Sequence, residues 1–325
     1  MVKVLMLSKW HVHADEYANF TNDQPDAKVT CVWDEDPTRG EAWAKKLNAA
    51  FEPDLDKALA RDDVDAVIVD TPTTLHREVM VKAANAGKHI FTEKALATTL
   101  ADCKVIAEAV AKNNVKFGIS YPHLCNPLYQ LCKKLMDDGE LGRIHYMRFR
   151  NAHNGALANW LPPHWYNMDE AGGGAMMDLG CHPMYVAPYL LGKPARVASM
   201  FNTTCAPAGD DNAVSVIEFE NKAIAVLETS FVSPFDAGCF EFLGTEGAVV
   251  SVGGEIKIRT KDNKKEWRKP DALPAESPKP LRLWLDGIIK NQPIPYDMGM
   301  AIMLTEMLEN AYISHEKQQI VTVKA

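Results

Sequence analysis

The chain has 325 residues, a length that favours two domains because a single core rarely organises so many. Lys and Arg number 35 against 43 Asp and Glu, which gives a formal net charge of −8 at pH 7. This acidic balance excludes non-specific nucleic-acid or anionic-membrane binding as a main function, since both need basic patches. No apolar run approaches the ~20 residues of a spanning helix. The first residues predict a buried strand rather than a signal peptide, so we expect neither a nucleic-acid nor a membrane partner.

Seven cysteines are dispersed along the chain without any C-x-x-C pair. An odd, scattered set in a chain of this length predicts reduced thiols and a cytoplasmic location. A structural zinc site is not expected, because its ligand spacing is absent. On a strand, His11 and His13 would share one face, but no acidic or cysteine partner lies near them in the sequence, so no metal is expected.

Short apolar runs alternate with amphipathic segments over the first 120 residues, the pattern of parallel strands joined by crossover helices. The apolar runs are nearly continuous, as expected for strands that helices cover on both faces. Strands are predicted at 3–7, 28–33, 65–70, 88–93 and 115–120, with helices near 12–21, 37–48, 55–61, 76–86 and 99–113. We therefore predict an α/β dinucleotide-binding domain at 1–120, with a Rossmann-type doubly wound parallel sheet.

The hydrophobicity pattern changes from residue 121, where runs of alternating apolar and polar residues predominate. Such alternation predicts strands with one solvated face, and hence an open, mainly antiparallel sheet. These runs lie at 143–152, 195–202, 213–219, 223–232, 238–244, 247–252, 255–260 and 319–323, with helices at 126–142, 170–192, 279–291 and 298–315. We predict a substrate and oligomerisation domain at 121–325, whose closing helices at 280–316 can pack back on the first domain.

The turn after the first strand lies where a dinucleotide-binding fold usually carries glycines. It reads "SKWH" instead, with Ser8, Lys9, Trp10 and His11 in place of a glycine-rich loop. By itself, this stretch argues against a dinucleotide site. The following helix start can still offer backbone N–H groups to a phosphate.

Other candidate cofactor contacts end the strands of the first domain, where ligands bind in doubly wound sheets. Asp34 could accept hydrogen bonds from the adenosine ribose and, with Glu35 and Asp36, repel a 2′-phosphate, which favours NAD over NADP. The alternative for "DEDPTR" is a turn with a helix cap. The segment 70–76, "DTPTTLH", could approach the cofactor or cap the next helix, and "FTEK" ends the strand 88–93. The candidates from these last two segments are Thr71, Pro72, Thr74, His76, Glu93 and Lys94.

Candidate chemistry in the second domain centres on "GGGAMMDLGCHP". Asp178 and His182 stand four apart, a spacing that puts both on one face of a helix. Such a pair could hold an imidazole in one tautomer beside a hydroxyl, or be an ordinary polar pair. The glycines at 172–174 let the backbone pass close to a ligand or to another strand.

These segments, in this order, resemble the glucose–fructose oxidoreductase, inositol dehydrogenase and rhizopine-catabolism (Gfo/Idh/MocA) family. The resemblance rests on the strand-turn-helix opening, "TPTTLH", "AGKHIFTEK", "GELGRI", "GGGAMMDLGCHP" and "LLGKP", and covers essentially the whole chain. It implies an N-terminal Rossmann domain and a C-terminal domain with a large open sheet that mediates homodimers or homotetramers. It also implies an NAD(P)-dependent oxidoreductase acting on a secondary alcohol of a sugar, cyclitol or sugar acid.

The resemblance assigns the catalytic roles to Lys94, Asp178 and His182, which would meet around the substrate hydroxyl. Either Lys94 or His182 would take the hydroxyl proton, and Asp178 would orient its neighbour. Ala95 departs from the family's proline after the lysine, and Ala makes a cis peptide costly by ~3 kcal/mol. Ser8 and Trp10 stand near the first two family glycines, so we predict a pyrophosphate displaced outward over residues 8–13. Its predicted contacts are Ser8, Lys9, Trp10, His11 and His13.

Substrate contacts are predicted from the loop at 151–170 and from the residues after the strand 115–120. Aromatic and imidazole side chains there suit sugar rings, although they could also pack between domains. The candidates are Tyr121, His123, His153, Trp160, His164, Trp165, Tyr166 and, from the helix, His182. Two alternative functions stay open: a non-catalytic regulatory relative that senses a nucleotide or sugar, and an NAD-assisted glycoside lyase or hydrolase.

Overall fold

The computed structural model describes residues 1–234, 238–263 and 266–323. The chain forms two compact units. Unit 1 comprises Met1–Ser120 and Pro278–Thr305, and unit 2 comprises Tyr121–Ser277 and Glu306–Ala325. Elements are numbered in chain order, and the long helix α11 (Met298–Lys317) contributes residues to both units.

Unit 1 contains a parallel six-stranded sheet in the order β3-β2-β1-β4-β5-β6. Its strands are β1 (Val2–Leu7), β2 (Ala27–Trp33), β3 (Ala50–Phe51), β4 (Ala66–Val69), β5 (His89–Thr92) and β6 (Phe117–Ile119). Its helices are α1 (Ala14–Asp23), α2 (Pro37–Leu47), α3 (Leu55–Leu59), α4 (His76–Asn85), α5 (Leu100–Lys112) and α10 (Pro280–Ile289). The predicted doubly wound fold is confirmed, and the order reverses between β1 and β4, the switch point at which such sheets bind ligands.

The core of unit 1 explains why α10 belongs to it. Trp284 of α10 is fully buried and lies 5.7 Å, ring to ring, from Phe91 of β5. Gly118 of β6 gives the indole its space, because a Cβ there would meet Trp284 at 2.8 Å. The sheet that carries the strand ends is therefore packed against residues from near the end of the sequence.

Unit 2 is built on an eight-stranded sheet in the order β13-β12-β11-β7-β10-β9-β8-β14. The strands are β7 (Ile144–Ala152), β8 (Pro194–Asn202), β9 (Asn212–Phe219), β10 (Ile224–Ser230), β11 (Cys239–Gly244), β12 (Ala248–Val252), β13 (Glu255–Arg259) and β14 (Val321–Thr322). All pairs are antiparallel except β7 with β10, so the predicted mainly antiparallel open sheet is confirmed. The first helix of this unit is α6 (Pro127–Asp137).

The predicted single helix at 170–192 is wrong. The segment forms three helices, α7 (Met168–Ala171), α8 (Ala175–Asp178) and α9 (Cys181–Leu191). Gly172 adopts φ of 76°, which ends α7, and Gly174 passes so close to another segment that a Cβ would meet the Asp210 carbonyl oxygen at 2.0 Å. The second break isolates Gly180, where a Cβ would meet the Met176 carbonyl oxygen at 2.6 Å. A left-handed turn at Gly172 and close contacts at Gly174 and Gly180 therefore mark these breaks.

Helices long and apolar enough to cross a bilayer are absent from the described residues.

Candidate active site

The turn between β1 and α1 keeps the backbone shape of a glycine turn without the glycine. Ser8 has φ of 76°, a left-handed conformation that a non-glycine residue adopts rarely. Its buried hydroxyl accepts the Trp10 N–H at 3.0 Å and donates to Glu35 Oε1 at 2.9 Å. His13 stands at the N-cap of α1 without a side-chain capping bond. The helix N-terminus therefore remains suited to a phosphate.

Asp34, directly after β2, is buried and already has several partners. Its carboxylate accepts the backbone N–H groups of Lys9 and Asp36, each at 2.9 Å. Arg39 binds it in a fork, with Nε 3.0 Å from Oδ2 and Nη2 2.6 Å from Oδ1. Burial opposes the positive charge of Arg39, but its bonds to Asp34 outweigh that cost and raise the Arg39 pKa. A ribose hydroxyl would therefore share Asp34 with Arg39.

Glu35 is the second carboxylate on this fork. Arg39 Nη2 lies 2.5 Å from its Oε1, and burial raises the Glu35 pKa. The repulsion of a 2′-phosphate expected from the sequence is therefore weaker than the count of acidic residues indicates.

Asp70 directly follows β4 and is fully buried. Neither carboxyl oxygen has a hydrogen-bond partner among the described residues. Burial, followed by the charge of Glu93, raises the pKa of Asp70 well above its ordinary value. Its backbone carbonyl accepts the His11 N–H at 3.1 Å, so Asp70 contacts the opening turn.

The rest of the predicted 70–76 segment divides between exposed and buried residues. Thr71 and Pro72 are buried, and Thr74 is exposed on a single 3₁₀ turn. The buried His76 ring lies with Nδ1 3.0 Å from the Ala95 carbonyl oxygen and Nε2 3.3 Å from that of Thr71. Burial lowers its pKa. A neutral His76 thus connects the loops after β4 and β5.

Glu93, after β5, is the buried centre of a hydrogen-bonded cluster. Its Oε1 accepts the Tyr17 hydroxyl and lies 3.0 Å from His13 Nδ1, and its Oε2 accepts the Lys94 N–H at 3.0 Å. Burial opposes ionisation, but the charges of His11, His13 and Lys94 hold the Glu93 pKa well below its ordinary value. Burial opposes the His13 charge too, yet Glu93 raises the His13 pKa. Tyr17 also contacts Ser120, Oη to Oγ 2.7 Å.

Lys94 leaves β5 as a buried lysine, with 6% of its surface exposed. The Lys94–Ala95 peptide is cis, although Ala replaces the proline of the family pattern. The structure thus places Lys94 at the carboxyl edge of the parallel sheet, beside Glu93.

His182 is the second residue of α9 and is buried in unit 2. Its Nδ1 lies 2.9 Å from the Tyr185 hydroxyl, which also accepts the His123 N–H at 3.2 Å. The His123 and His182 rings lie 4.6 Å apart, and Tyr121 stacks on Tyr185 at 4.2 Å. Three predicted residues therefore share one aromatic cluster with Tyr185.

Asp178 ends α8, so the predicted helical face that it shares with His182 is not formed by one continuous helix. Leu179 and Gly180 separate the two helices. Burial lowers the pKa of His153, and the negative charge of Asp178 partly offsets that shift. Asp178 thus lies on the side of unit 2 that carries the predicted substrate loop.

The loop at 151–170 holds the remaining aromatic candidates. His153 stacks on Phe231 at 5.1 Å with an interplanar angle of 9°, and Trp160 lies 4.6 Å from His153. Trp160 is half exposed, whereas Trp165 is buried. The His164 ring lies 5.9 Å from Trp165, and burial raises the pKa of the half-buried Tyr166.

Comparison with known proteins places this geometry in a family. The model of an oxidoreductase family with an NAD-binding Rossmann fold matches residues 11–121, and that of the GFO/IDH/MocA C-terminal domain matches residues 129–250. Over 240 residues the chain is 31% identical to scyllo-inositol 2-dehydrogenase (NAD(+)) of Bacillus subtilis, covering 71% of this chain and 68% of that protein. The chain belongs to the Gfo/Idh/MocA oxidoreductase family. It is an NAD-dependent oxidoreductase.

Two further similarities widen the comparison. The 2,7-anhydro-N-acetylneuraminate hydratase of Escherichia coli is 29% identical over 260 residues, covering 74% of this chain and 68% of that protein. A solved structure of levoglucosan dehydrogenase in complex with NADH and levoglucosan has a TM-score of 0.86 at 20% identity, with 100% of both chains covered. This structural likeness shows the shared fold.

The residues present in unit 1 fit the NAD of a Gfo/Idh/MocA oxidoreductase. Ser8 retains the turn conformation, the α1 N-terminus is free of a side-chain cap, and Asp34 directly follows β2. Buried Thr71 has an Oγ1 without a partner among the described residues, an acceptor or donor for a ligand at the switch point. The bulky Trp10 side chain is buried, so this turn keeps its left-handed backbone at Ser8 with larger residues in place of glycines.

Sequence reasoning missed four residues that complete these clusters: Tyr17, Arg39, Asp70 and Tyr185. Tyr17 lies one helical turn after His13 and Tyr185 three residues after His182, spacings that place side chains together. Asp70 was visible as a carboxyl group ending an apolar strand. Arg39 carried no signal beyond its place in the first turn of α2, since ion-pair partners depend on the fold.

Proposed function

We propose that this oxidoreductase oxidises a secondary alcohol of a sugar, cyclitol or sugar acid. The observation that carries the proposal is Lys94, a buried lysine at the carboxyl edge of a Rossmann sheet in an NAD-binding family. The names of the relatives support it, since one is a cyclitol dehydrogenase and another was solved with levoglucosan.

The hydrogen bonds of Tyr185 favour Lys94 over His182 as the base. Because Tyr185 Oη accepts the His123 N–H, its own proton is available to His182 Nδ1. Neutral His182 then carries its proton on Nε2 and can donate a hydrogen bond but cannot accept a proton there. We assign proton removal from the hydroxyl to the Lys94 amine and a hydrogen bond to the developing alkoxide to His182. Asp178 orients these groups, and bound NAD+ supplies the hydride acceptor.

We propose that the loop at 151–170 selects the substrate. Trp160 and His153 offer adjacent ring faces, and Trp160 is 53% exposed. Sugar rings present C–H faces that pack on such rings, while imidazole and phenol groups bond to hydroxyls. The other proposed substrate contacts are His123, His164, Trp165 and Tyr166. Tyr121 stacks on the Tyr185 ring and helps to hold it in place.

NAD is the proposed physiological cofactor, with NADP less favoured. Asp34 remains a buried acceptor for ribose hydroxyls, and the Asp34–Glu35 pair carries more negative charge than Arg39 offsets. Residues 8–13 are the proposed pyrophosphate contacts. A titration of the protein with NAD(H) and NADP(H), followed by protein fluorescence, tests this preference.

The open sheet of unit 2 is the proposed interface of a homodimer or homotetramer. Its outer face exposes Met200 (76%), Val216 (41%) and Ile224 (42%) on β8, β9 and β10, and Ile320 (61%) before β14. A groove of about 1270 Å³ lies along the same strands. Exposed apolar patches of this kind mark protein interfaces. None of the seven cysteines, which all lie among the described residues, forms a disulfide, and this supports a cytoplasmic location.

An NAD-assisted lyase or hydratase is a second candidate, favoured by the similarity to the Escherichia coli hydratase. In such a reaction hydride leaves and returns to the substrate, so the cofactor is not consumed. Incubation with a panel of cyclitols, sugars and anhydrosugars separates the two functions. Stoichiometric NADH formation supports the dehydrogenase, and substrate conversion without net NADH supports the second candidate.

A further inference from the structure

Two histidines of the opening turn and a carboxylate from another strand end lie together in unit 1. His11 and His13 precede α1, and Glu93 follows β5. One ligand-capable atom from each side chain lies within 4.8 Å of the other two. We propose that His11, His13 and Glu93 form a binding site for a divalent transition metal of the zinc class.

The distances between donor atoms suit such an ion. His13 Nδ1 is 3.0 Å and His11 Nδ1 is 3.9 Å from Glu93 Oε1. Zinc bonds to imidazole nitrogen and carboxylate oxygen at about 2.0–2.2 Å, so two ligands of a tetrahedral ion lie roughly 3.4 Å apart. The two distances to Glu93 Oε1 fall on either side of that value, and the His11 and His13 donor atoms lie within 4.8 Å of each other.

Hydrogen bonds within the cluster already aim its donor atoms at one another. His11 Nδ1 accepts the His13 backbone N–H at 3.3 Å and His13 Nδ1 lies 3.0 Å from Glu93 Oε1, so a bound ion would replace these two hydrogen bonds. Glu93 is held by the Tyr17 hydroxyl and by the Lys94 N–H. Outer partners of this kind fix the orientation of metal-binding carboxylates in protein sites.

Asp70 provides an independent reason to place a cation here. It is fully buried, and neither of its carboxyl oxygens has a hydrogen-bond partner among the described residues. Its backbone carbonyl accepts the His11 N–H at 3.1 Å, so Asp70 adjoins the cluster. A buried carboxyl group without a hydrogen bond is costly unless a positive charge or a ligand compensates it. A divalent ion held by His11 would bring positive charge to this part of unit 1.

The donor set defines the class of ion and the form of the site. Two imidazoles and one carboxylate suit zinc and its transition-metal neighbours, whereas Mg²⁺ and Ca²⁺ prefer oxygen ligands. Three protein ligands leave one position of a tetrahedral ion for water or another ligand. His13 has 40% of its side chain exposed, which gives an ion a route from solvent. The sequence alone hid this site because the carboxylate lies 80 residues from His13.

Calorimetric titration of the full chain, stripped with a chelator and free of any affinity tag, tests the proposal with Zn²⁺ alone. We expect one Zn²⁺ per chain, and Co²⁺ in its place should give the visible absorption of a tetrahedral site. His13→Ala and Glu93→Gln should each weaken Zn²⁺ binding by more than about 100-fold, because loss of an outer partner alone costs about 10–100-fold.

His145→Ala is the matched control, since His145 is an exposed histidine on β7 in unit 2. It should bind Zn²⁺ as tightly as the unaltered chain. His13→Asn serves as a second, milder variant if thermal melting shows that His13→Ala is unfolded. The proposal is overturned if the unaltered chain binds no Zn²⁺, or if binding survives Glu93→Gln and His13→Asn in folded protein.

This inference goes beyond the dehydrogenase proposal and is tested separately from it. Zinc stoichiometry is measured without substrate or NAD, so a chain that fails to oxidise sugars can still bind one Zn²⁺. A chain that oxidises sugars without binding Zn²⁺ contradicts only the metal site.

Discussion

In the proposed mechanism, the hydroxyl of Tyr185 selects which nitrogen of His182 is protonated when the imidazole is neutral. The hydroxyl accepts a hydrogen bond from the His123 backbone N–H and lies 2.9 Å from His182 Nδ1, to which it would donate its own hydrogen. This arrangement leaves His182 Nε2–H as a donor, and the proposed assignment of Lys94 as base follows from it.

Tyr185→Phe removes the hydroxyl beside His182 Nδ1, so the tautomer of His182 should no longer be fixed. We expect kcat to fall by about tenfold or more and the pH dependence of kcat to change, because either nitrogen of His182 can then carry the proton. KM should change less, since the ring and its stacking on Tyr121 remain. Tyr129→Phe is the control, because the Tyr129 ring lies 5.8 Å from the His123 ring and its hydroxyl 3.4 Å from His123 Nδ1, whereas the Tyr185 hydroxyl contacts His182 itself. Equal effects of both variants on the pH profile would contradict the tautomer argument.

Asp70 gives a pH-dependent contribution to stability. Folding raises its pKa above the unfolded value of about 3.8, so the folded chain holds this proton more tightly. The contribution to stability is therefore full below pH 3.8 and is lost as the pH rises through the raised value.

Asp70→Asn removes this titration, so its effect on Tm should be more favourable at pH 8 than at pH 5. Thermal unfolding of both proteins at the two pH values, with chelator present, measures the difference. Asp65→Asn provides a comparison at an exposed aspartate just before β4. A change in Tm that is the same at pH 5 and pH 8 would contradict a raised pKa for Asp70.

Elements of regular pattern were predictable from the sequence, and elements set by backbone contacts were not. The parallel strands appear as continuous apolar runs because both of their faces are buried. The strands β7 to β13 appear as alternating runs because only one face is buried. The breaks between α7, α8 and α9 left no apolar signal, since they depend on how closely Gly174 and Gly180 approach other backbone. The position of Asp34 after an apolar strand was likewise predictable from the pattern. Its pairing with Arg39 was not, because that contact depends on how the chain folds.

Gly174→Ala tests the backbone approach at the start of α8. A Cβ there would meet the Asp210 carbonyl oxygen at 2.0 Å and its nitrogen at 2.6 Å, so the two segments must separate. We expect a loss of about 1–3 kcal/mol in the free energy of unfolding, the usual cost of overpacking. Gly238→Ala is the control because nothing lies within 4 Å of its added Cβ. Denaturant unfolding compares the two, and equal stability would contradict the close approach.

At the scale of the whole molecule, the exposed apolar face of unit 2 bears on assembly. A Met200→Lys, Val216→Lys double variant places two charges on that face and should convert the proposed oligomer to monomers, because charge is disfavoured in interface cores. Light scattering after size-exclusion chromatography measures the molar mass. Leu273→Lys, at an exposed apolar residue outside the strands, should leave the mass unchanged. An oligomer that survives the double variant would place the interface elsewhere.

In the proposed function, this chain uses NAD and Lys94 to oxidise a sugar-like secondary alcohol. The most direct measurement is the rate of NADH formation on a panel of cyclitols and sugars, for the unaltered chain and for Lys94→Met, with NAD+ affinity measured for both. We predict NADH formation by the unaltered chain and a rate about 10²–10⁴-fold lower for Lys94→Met, at nearly unchanged NAD+ affinity. A chain that binds no NAD(H), or a Lys94→Met variant that retains its rate, would contradict the claim.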